Sequence, residues 1–248
     1  MKKLLASLLV PAALGLLALT QTGCNTLCSS TPAGFVPLFD GKSLAGWDGL
    51  PNHWKVQDGT ITGYTEKENP LKGNTFLVWT NGTVANFELH AKYRITPLND
   101  VGFGNSGIQY RSKVVDAAGF VVGGYQADFE AGKTYSGILY EERGRGILAE
   151  RGQRNRITEV DGQTRILKVG DLASSAELQA NIRANDWNDY VIIADGNHLM
   201  HFINGRMTIE VIDEQAAKAA KSGVLALQIH AGPPMQVQFK DILLKRLP

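Results

Sequence analysis

Three short stretches of this chain set hydrogen-bonding side chains two residues apart. They are Gly107-Ile-Gln-Tyr-Arg111, Tyr125-Gln-Ala-Asp-Phe-Glu130 and Leu225-Ala-Leu-Gln-Ile-His230. Side chains alternate across a β-strand, so Gln109 and Arg111 are expected on one face, as are Gln126, Asp128 and Glu130, and Gln228 and His230. Ile108, Tyr110, Tyr125, Ala127, Phe129, Leu225, Leu227 and Ile229 take the other, apolar face. A merely solvated outer face tends to carry Lys, Glu and Thr. Gln, Arg, Asp and His instead supply amides, a planar donor fork and titratable groups, which suit the hydroxyls of a sugar.

Ordinary glycoside hydrolysis fits this set poorly. Some concanavalin-like glucanases carry three acids at alternate positions of one strand, with the nucleophile first and the general acid last. The matching positions here are Gln126, Asp128 and Glu130, and an amide cannot act as the carboxylate nucleophile. Glu141 and Glu142 are adjacent, so one of them at most faces the same pocket. His198 and His201 are three apart and fall on opposite faces of a strand, so they do not chelate one ion together. No metal site is expected, and no cofactor, a divalent ion being left open. No nucleophile elbow, phosphate loop or dinucleotide fingerprint is present.

The elements that must position these residues are short runs rich in Val, Ile, Phe, Tyr and Thr, separated by turn dipeptides. Asp58-Gly59 joins the strands Trp54–Gln57 and Thr60–Gly63. Asp195-Gly196 and Asn204-Gly205 join three strands between Tyr190 and Ile212 into an antiparallel meander. Further strands are expected over Thr75–Trp79, Phe87–Thr96, Gly107–Ser112, Gly124–Phe129, Ser136–Glu141, Val224–His230 and Gln236–Lys245. Asp213–Lys221 alone reads as helical. The fold class is therefore all-β, a two-sheet antiparallel sandwich of the concanavalin A-like, jelly-roll kind with one short helix. Glu141–Arg156, with five arginines among three glycines, reads either as a solvated loop or as a rim for an anionic or hydroxyl-rich ligand.

The N-terminus has the form of an export signal over residues 1–23: Lys2 and Lys3, an apolar run from Leu4 to Leu19 broken by Pro11 and Gly15, then a polar stretch up to Gly23. The run is too short for a permanent membrane span. Cys24 is a candidate lipidation site, which would anchor the chain to a membrane of the bacterial envelope; a local disulfide between Cys24 and Cys28 is the other reading. Both place the protein outside the cytosol, in the periplasm or anchored in the outer envelope. Residues 24–34 form a tether and 35–248 one domain. Without Lys2 and Lys3 the chain has 23 basic against 24 acidic residues, and nothing suggests a nucleic-acid partner.

Several ordered motifs resemble the 3-keto-disaccharide hydrolase family. They are Phe35-Val-Pro-Leu-Phe-Asp-Gly-Lys-Ser-Leu-Ala-Gly-Trp47, Asn105-Ser-Gly-Ile-Gln-Tyr-Arg111, Gly124-Tyr-Gln-Ala-Asp128, Gly137-Ile-Leu-Tyr-Glu-Glu142, Asp186-Trp-Asn-Asp-Tyr190 and Ser222-Gly-Val-Leu-Ala-Leu-Gln-Ile-His-Ala-Gly-Pro-Pro234. The resemblance implies a concanavalin-like jelly roll and cleavage of glycosides that a separate, upstream oxidoreductase has oxidised at C3. A ketone at C3 acidifies the C2 proton, so the reaction needs a base, a cradle for the enolate oxygen and an acid for the leaving group. It does not need a carboxylate nucleophile, in keeping with Gln126.

On this reading Asp128 or His230 is the base, Arg111 with Gln126 is the cradle, and Glu141 is the acid. Gln109 and Gln228 hold hydroxyls, and Tyr140 and Arg143 are further substrate-binding candidates. The same amide-rich face would also serve a non-catalytic carbohydrate-binding lipoprotein, and a structural lipoprotein whose polar face meets another protein is a third reading.

Overall fold

The computed structural model describes residues 31–248, and Thr31–Pro248 is one compact unit. The expected export signal, Cys24, Cys28 and the expected tether up to Ser30 lie outside the described residues.

The all-β sandwich expected from the strand pattern is what forms. Numbered in chain order, one sheet runs β12 (Gln163–Asp171), β11 (Gln153–Val160), β15 (Arg206–Asp213), β14 (His198–Ile203), β13 (Asn188–Asp195), β6 (Phe87–Pro97), β17 (Met235–Arg246), β4 (Thr60–Thr65) and β3 (Trp54–Gln57), with β1 (Val36–Pro37) also paired to β17. The second runs β10 (Gly146–Ala149), β9 (Leu139–Glu142), β8 (Val121–Glu130), β7 (Asn105–Asp116), β16 (Val224–Ile229), β5 (Thr75–Trp79) and β2 (Trp47–Asp48). Neighbours are antiparallel except β11 and β15, which run parallel.

Alternation decides the core. Tyr110, Tyr125, Phe129, Leu227 and Ile229 from the second sheet meet Tyr93, Tyr190, Ile192 and Phe239 from the first. Tyr93 and Phe129 lie with ring centroids 3.9 Å apart, and Phe129 meets Phe239 edge-on at 5.9 Å. Each such side chain contributes about 1.5–3 kcal/mol by leaving water. Gln126, Asp128 and Gln228 consequently point to the other side of the second sheet.

Two turns form as read: Asp58 and Gly59 have φ of 50° and 71°, and Asn204 and Gly205 have 47° and 77°. The third is displaced by one residue. Asp195 pairs with His198, which leaves Gly196 and Asn197 as the turn, and only Gly196 (φ 55°) is left-handed.

The helix expected over Asp213–Lys221 does not form. Asp213 ends β15, and a single turn follows in which Gln215 O accepts from Lys218 N and Ala219 N at 2.8 Å each. The side chain of Asp213 accepts from Gln215 N at 3.1 Å, as a cap would, but Arg145 also holds both of its oxygens and the chain leaves the helical path after that one turn. The helix that does form is α1 (Ser175–Ala180), stabilised by a reciprocal cap in which Ser174 Oγ accepts from Glu177 N (3.2 Å) and Glu177 accepts from Ser174 N (2.9 Å). Glu141–Arg156 is no solvated loop either, since it contains β10 and the start of β11.

Candidate functional site

The outer face of the second sheet carries a cleft of about 310 Å³. Gln126 and Asp128 reach it from β8, Tyr140 and Glu142 from β9, Gln228 from β16, and His230 from the residue after β16. Asn74, Asn105 and Tyr135 complete its polar and aromatic lining, with Ile138 and Ile147 as apolar walls. Gly107 leaves room on the floor, because a Cβ there would lie 2.5 Å from Gln126 Cγ.

The polar groups form one network. Gln228 Nε2 donates to Gln126 Oε1 at 3.1 Å and to Glu142 Oε2 at 3.3 Å. Gln126 Nε2 donates to Asp128 Oδ1 at 3.3 Å, and Asn74 Nδ2 to Glu142 Oε2 at 3.5 Å. These contacts are long enough for a ligand to compete for the same groups. Asn74 is itself fixed by Ala231 N, which donates to its Oδ1 at 3.0 Å.

Two groups are set up for proton transfer. Asp128 is only 6% exposed, and its burial pushes the carboxyl well above the ordinary carboxylate range; the neighbouring Glu130 and Glu142 charges add to the rise, against hydrogen bonds from Gln126 and from the Phe129 backbone. A carboxyl so placed keeps its proton more readily than a solvated one. His230 Nδ1 lies 2.6 Å from Ala231 O, and a carbonyl can only accept. Nδ1 therefore bears the hydrogen, which leaves Nε2 of the neutral ring with its lone pair. The Phe103 ring packs edge-on against the imidazole at 5.7 Å. Tyr140 is also raised, by partial burial first and then by Glu142 and Asp128.

Asp128, His230, Gln126, Gln228 and Tyr140, all expected at the site, are thus brought together. Gln109 is not at its surface. It is fully buried one layer down, where its amide meets that of Gln126 at 2.7 Å and Ser112 Oγ at 2.7 Å. It supports Gln126 and does not hold a hydroxyl.

Arg111, Glu141 and Arg143 are corrected. The β7–β8 register shifts between Tyr110 and Lys113, and Arg111 sits at φ 46°. A bulge of this kind breaks the alternation on which the face assignment rested. The guanidinium is sent away from the cleft to Ala85 O (2.6 Å), Gly196 O (2.6 Å) and Asn86 Oδ1 (3.1 Å). Glu141 shares its face with Leu139 and points inward, where Arg145 donates to it from Nε (2.7 Å), Nη2 (2.9 Å) and its backbone N (2.7 Å). Arg145 also binds Asp213 at 2.6 Å, and Tyr125 OH donates to the same carboxylate. Glu142, not Glu141, is the carboxylate that faces the cleft. Arg143 is exposed and lies outside the cleft, at φ 54° in the turn after β9.

Glu142 was weighed in the sequence only as the alternative to Glu141, and Asn74, Asn105 and Tyr135 went unread. Alternation already carried the first: Tyr140 and Glu142 must share a face, so choosing Tyr140 excludes Glu141. The same rule places Asn105 beside Gly107 and Gln109. Tyr135 had no such signal, because it stands on the loop between β8 and β9. That loop is held from two sides. Arg151 is buried and donates to Lys133 O (2.7 Å), Ser136 O (2.7 Å) and Ser175 O (3.2 Å). Glu130 accepts from Thr134 N (2.5 Å) and Tyr135 N (2.9 Å).

The histidine pair separates as alternation requires. His201 is buried between the hydroxyls of Tyr110 (3.0 Å) and Tyr190 (3.4 Å), and burial lowers its pKa to about 3. His198 faces outward and meets Glu210 at 2.9 Å. Among the described residues no three His, Cys, Asp or Glu side chains are grouped to hold a metal ion.

An open two-sheet sandwich with a polar cleft of amides, carboxyls and an imidazole on one outer face belongs to the class of carbohydrate-active β-sandwich domains. Residues 34–245 match the 3-keto-alpha-glucoside-1,2-lyase-like domain, and the chain belongs to that family. Among solved structures it is similar to a candidate glycosyl hydrolase from Parabacteroides distasonis, with TM-score 0.54 and 18% identity over 87% of this chain and 94% of that one. A second candidate glycosyl hydrolase structure from the same organism gives TM-score 0.54 and 17% identity over 86% and 99%. A carbohydrate-binding module from Bacillus subtilis gives 0.51 and 14% over 81% and 95%. These likenesses establish the fold. No match was found among curated proteins.

Proposed function

We propose that this protein cleaves the glycosidic bond of 3-keto-glycosides by elimination followed by hydration. The observation that carries the reading is that a desolvated carboxyl, Asp128, and an imidazole with a free Nε2, His230, line one cleft together with the amides of Gln126 and Gln228.

His230 Nε2 takes the C2 proton, which the C3 ketone has made acidic, and the electron pair moves onto the C3 oxygen as an enolate. Gln126 and Gln228 donate N–H to that oxygen, the part first assigned to Arg111. The enolate then re-forms the ketone, C1 and C2 become doubly bonded, and the C1–O bond breaks. Asp128 gives its proton to the departing oxygen. Water adds to C1 of the enone and a proton returns to C2, so the net change is hydrolysis. Tyr135, on the loop pinned by Arg151 and Glu130, offers an aromatic face at the rim. On this reading the oxidised substrate comes from a separate sugar oxidoreductase, and the signal-like form of residues 1–23 with Cys24 supports a site at the bacterial envelope.

The test is incubation of a 3-keto-disaccharide, beside its unoxidised parent, in deuterium-enriched water. Cleavage of the oxidised sugar alone, with deuterium at C2 of the product, is expected. Cleavage without deuterium refutes the elimination route. Binding of both sugars with no cleavage of either refutes the enzyme reading and favours a carbohydrate-binding module.

A further inference from the structure

The cleft does not end the polar track on the second sheet. Asp128 and Gln126 line it from β8, and two residues further along the same strand Gly124 lines a second, larger groove of about 740 Å³. On β9, Tyr140 belongs to the cleft and Glu142 to both. At about 3.3 Å per residue, Asp128 and Gly124 are roughly 13 Å apart along the strand. Gly123, Gly124 and Gly144 keep the groove wall bare.

The charge of the groove is one-sided. Arg111, Lys113, Arg143, Arg145 and Lys218 line it, against Glu141 and Glu142. Arg145 is neutralised by Glu141 and Asp213, and Arg111 is held by backbone carbonyls. Glu142 is bonded on the cleft side, by Gln228 and Asn74. Lys113, Arg143 and Lys218 remain exposed on the rim, and none of them is in an ion pair among the described residues. Lys218 Nζ reaches Thr164 Oγ1 at 3.3 Å, which holds it on the groove side. Arg154 and Arg156, the other surface arginines of the Glu141–Arg156 segment, are paired with Glu210 and Glu214 and are not available.

We propose that this groove is a subsite for a carboxylated sugar residue, a uronate, adjoining the sugar that occupies the cleft. The saccharide lies along β8 and β9, its neutral unit against Gln126 and Asp128 and its carboxylate among Lys113, Arg143 and Lys218. The proposal rests on the preceding reading only for which sugar unit sits in the cleft, and binding is measured apart from turnover.

The experiment is calorimetric titration of the purified chain with a neutral glucose disaccharide and with the same disaccharide oxidised to a carboxylate at C6 of one or the other unit. Three exposed cations near one carboxylate, each contributing modestly in water, are expected to make one acidic isomer bind about tenfold tighter than the neutral sugar at low salt. Half-molar salt is expected to remove most of that preference. In the Lys113→Gln, Arg143→Gln, Lys218→Gln triple variant the preference is expected to vanish while neutral binding persists, with a thermal melt to confirm folding. Equal binding of acidic and neutral forms, no measurable binding of any of them, or a preference that survives in the triple variant or in the single Arg143→Glu variant overturns the proposal. Failure to cleave the neutral 3-keto-disaccharide counts against the catalytic reading and leaves the titration result standing.

Discussion

Replacing Glu141 or Glu142 by Gln separates a structural from a functional carboxylate one residue apart. The side chains of Glu141, Arg145 and Asp213 are 10%, 4% and 1% exposed. Glu141 accepts three hydrogen bonds from Arg145, and a Gln there keeps the acceptor but gives up the charge. Charge-assisted hydrogen bonds of this kind contribute about 1.5–3 kcal/mol each, and the surviving Arg145–Asp213 pair limits the damage. The expected loss for Glu141→Gln is about 2–3 kcal/mol, a fall in Tm of roughly 4–12 °C for a domain of this size. Its kcat/KM on a 3-keto-disaccharide is expected to stay within about twofold of wild type, measured at a temperature where both are folded. Glu142→Gln keeps one acceptor oxygen and gives up the charge behind two long hydrogen bonds at a half-buried site, so its Tm is expected to move by only about 2–4 °C. Its kcat/KM is expected to fall by about tenfold or more, because Gln228 and Asn74 lose the charge that aims them into the cleft and must share one carbonyl oxygen. A Glu141→Gln variant with normal Tm and lost activity, or a Glu142→Gln variant with normal activity and lost stability, refutes the assignment of faces on β9.

Two further outcomes follow from the site. Asp128→Asn is expected to abolish cleavage and to raise Tm. The folded chain holds this proton more tightly than the unfolded chain, so wild type loses stability as pH rises from the ordinary value of 3.8 through the raised folded value, and the advantage of the Asn variant grows over that window. Parallel Tm profiles for the two proteins from pH 3 to 8 contradict the desolvated carboxyl. Arg151→Lys replaces a planar fork that holds four backbone carbonyls by a point charge. It is expected to raise KM about fivefold with kcat within about twofold and to speed amide exchange at 133–136; normal exchange there together with normal KM removes the loop-positioning role.

Much of the fold was legible because period-two alternation and two-residue turns are local signals. Gln126, Asp128 and Gln228 fell on the correct side for the same reason. Arg111 did not, because a bulge after Tyr110 is set by how β7 meets β8 and β16, and nothing in Gly107-Ile-Gln-Tyr-Arg111 announces it. The helix over Asp213–Lys221 failed although its cap bond from Gln215 N is made, since the capping acid belongs to β15 and is anchored there by an arginine 68 residues away in sequence. The true helix had a local signature, Ser174 followed by Glu177, which went unread. The two buried arginines, Arg145 and Arg151, made Glu141–Arg156 look solvated when it holds a strand and the ties of the cleft loop.

The position of β17 bears on how the chain acquires this structure. Residues 235–246 lie between β6 and β4, in the interior of the ten-stranded sheet, and bond to segments some 150 residues earlier. Until Met235–Arg246 have been made, β4 and β6 have no partner on those sides, and the strands carrying Tyr93 and Ile61 cannot close over the core. Such long-range closure slows folding and keeps the nascent chain open while it is synthesised. Removal of these twelve residues would split the sheet in its interior and leave β1, β4 and β6 each without a partner on that side.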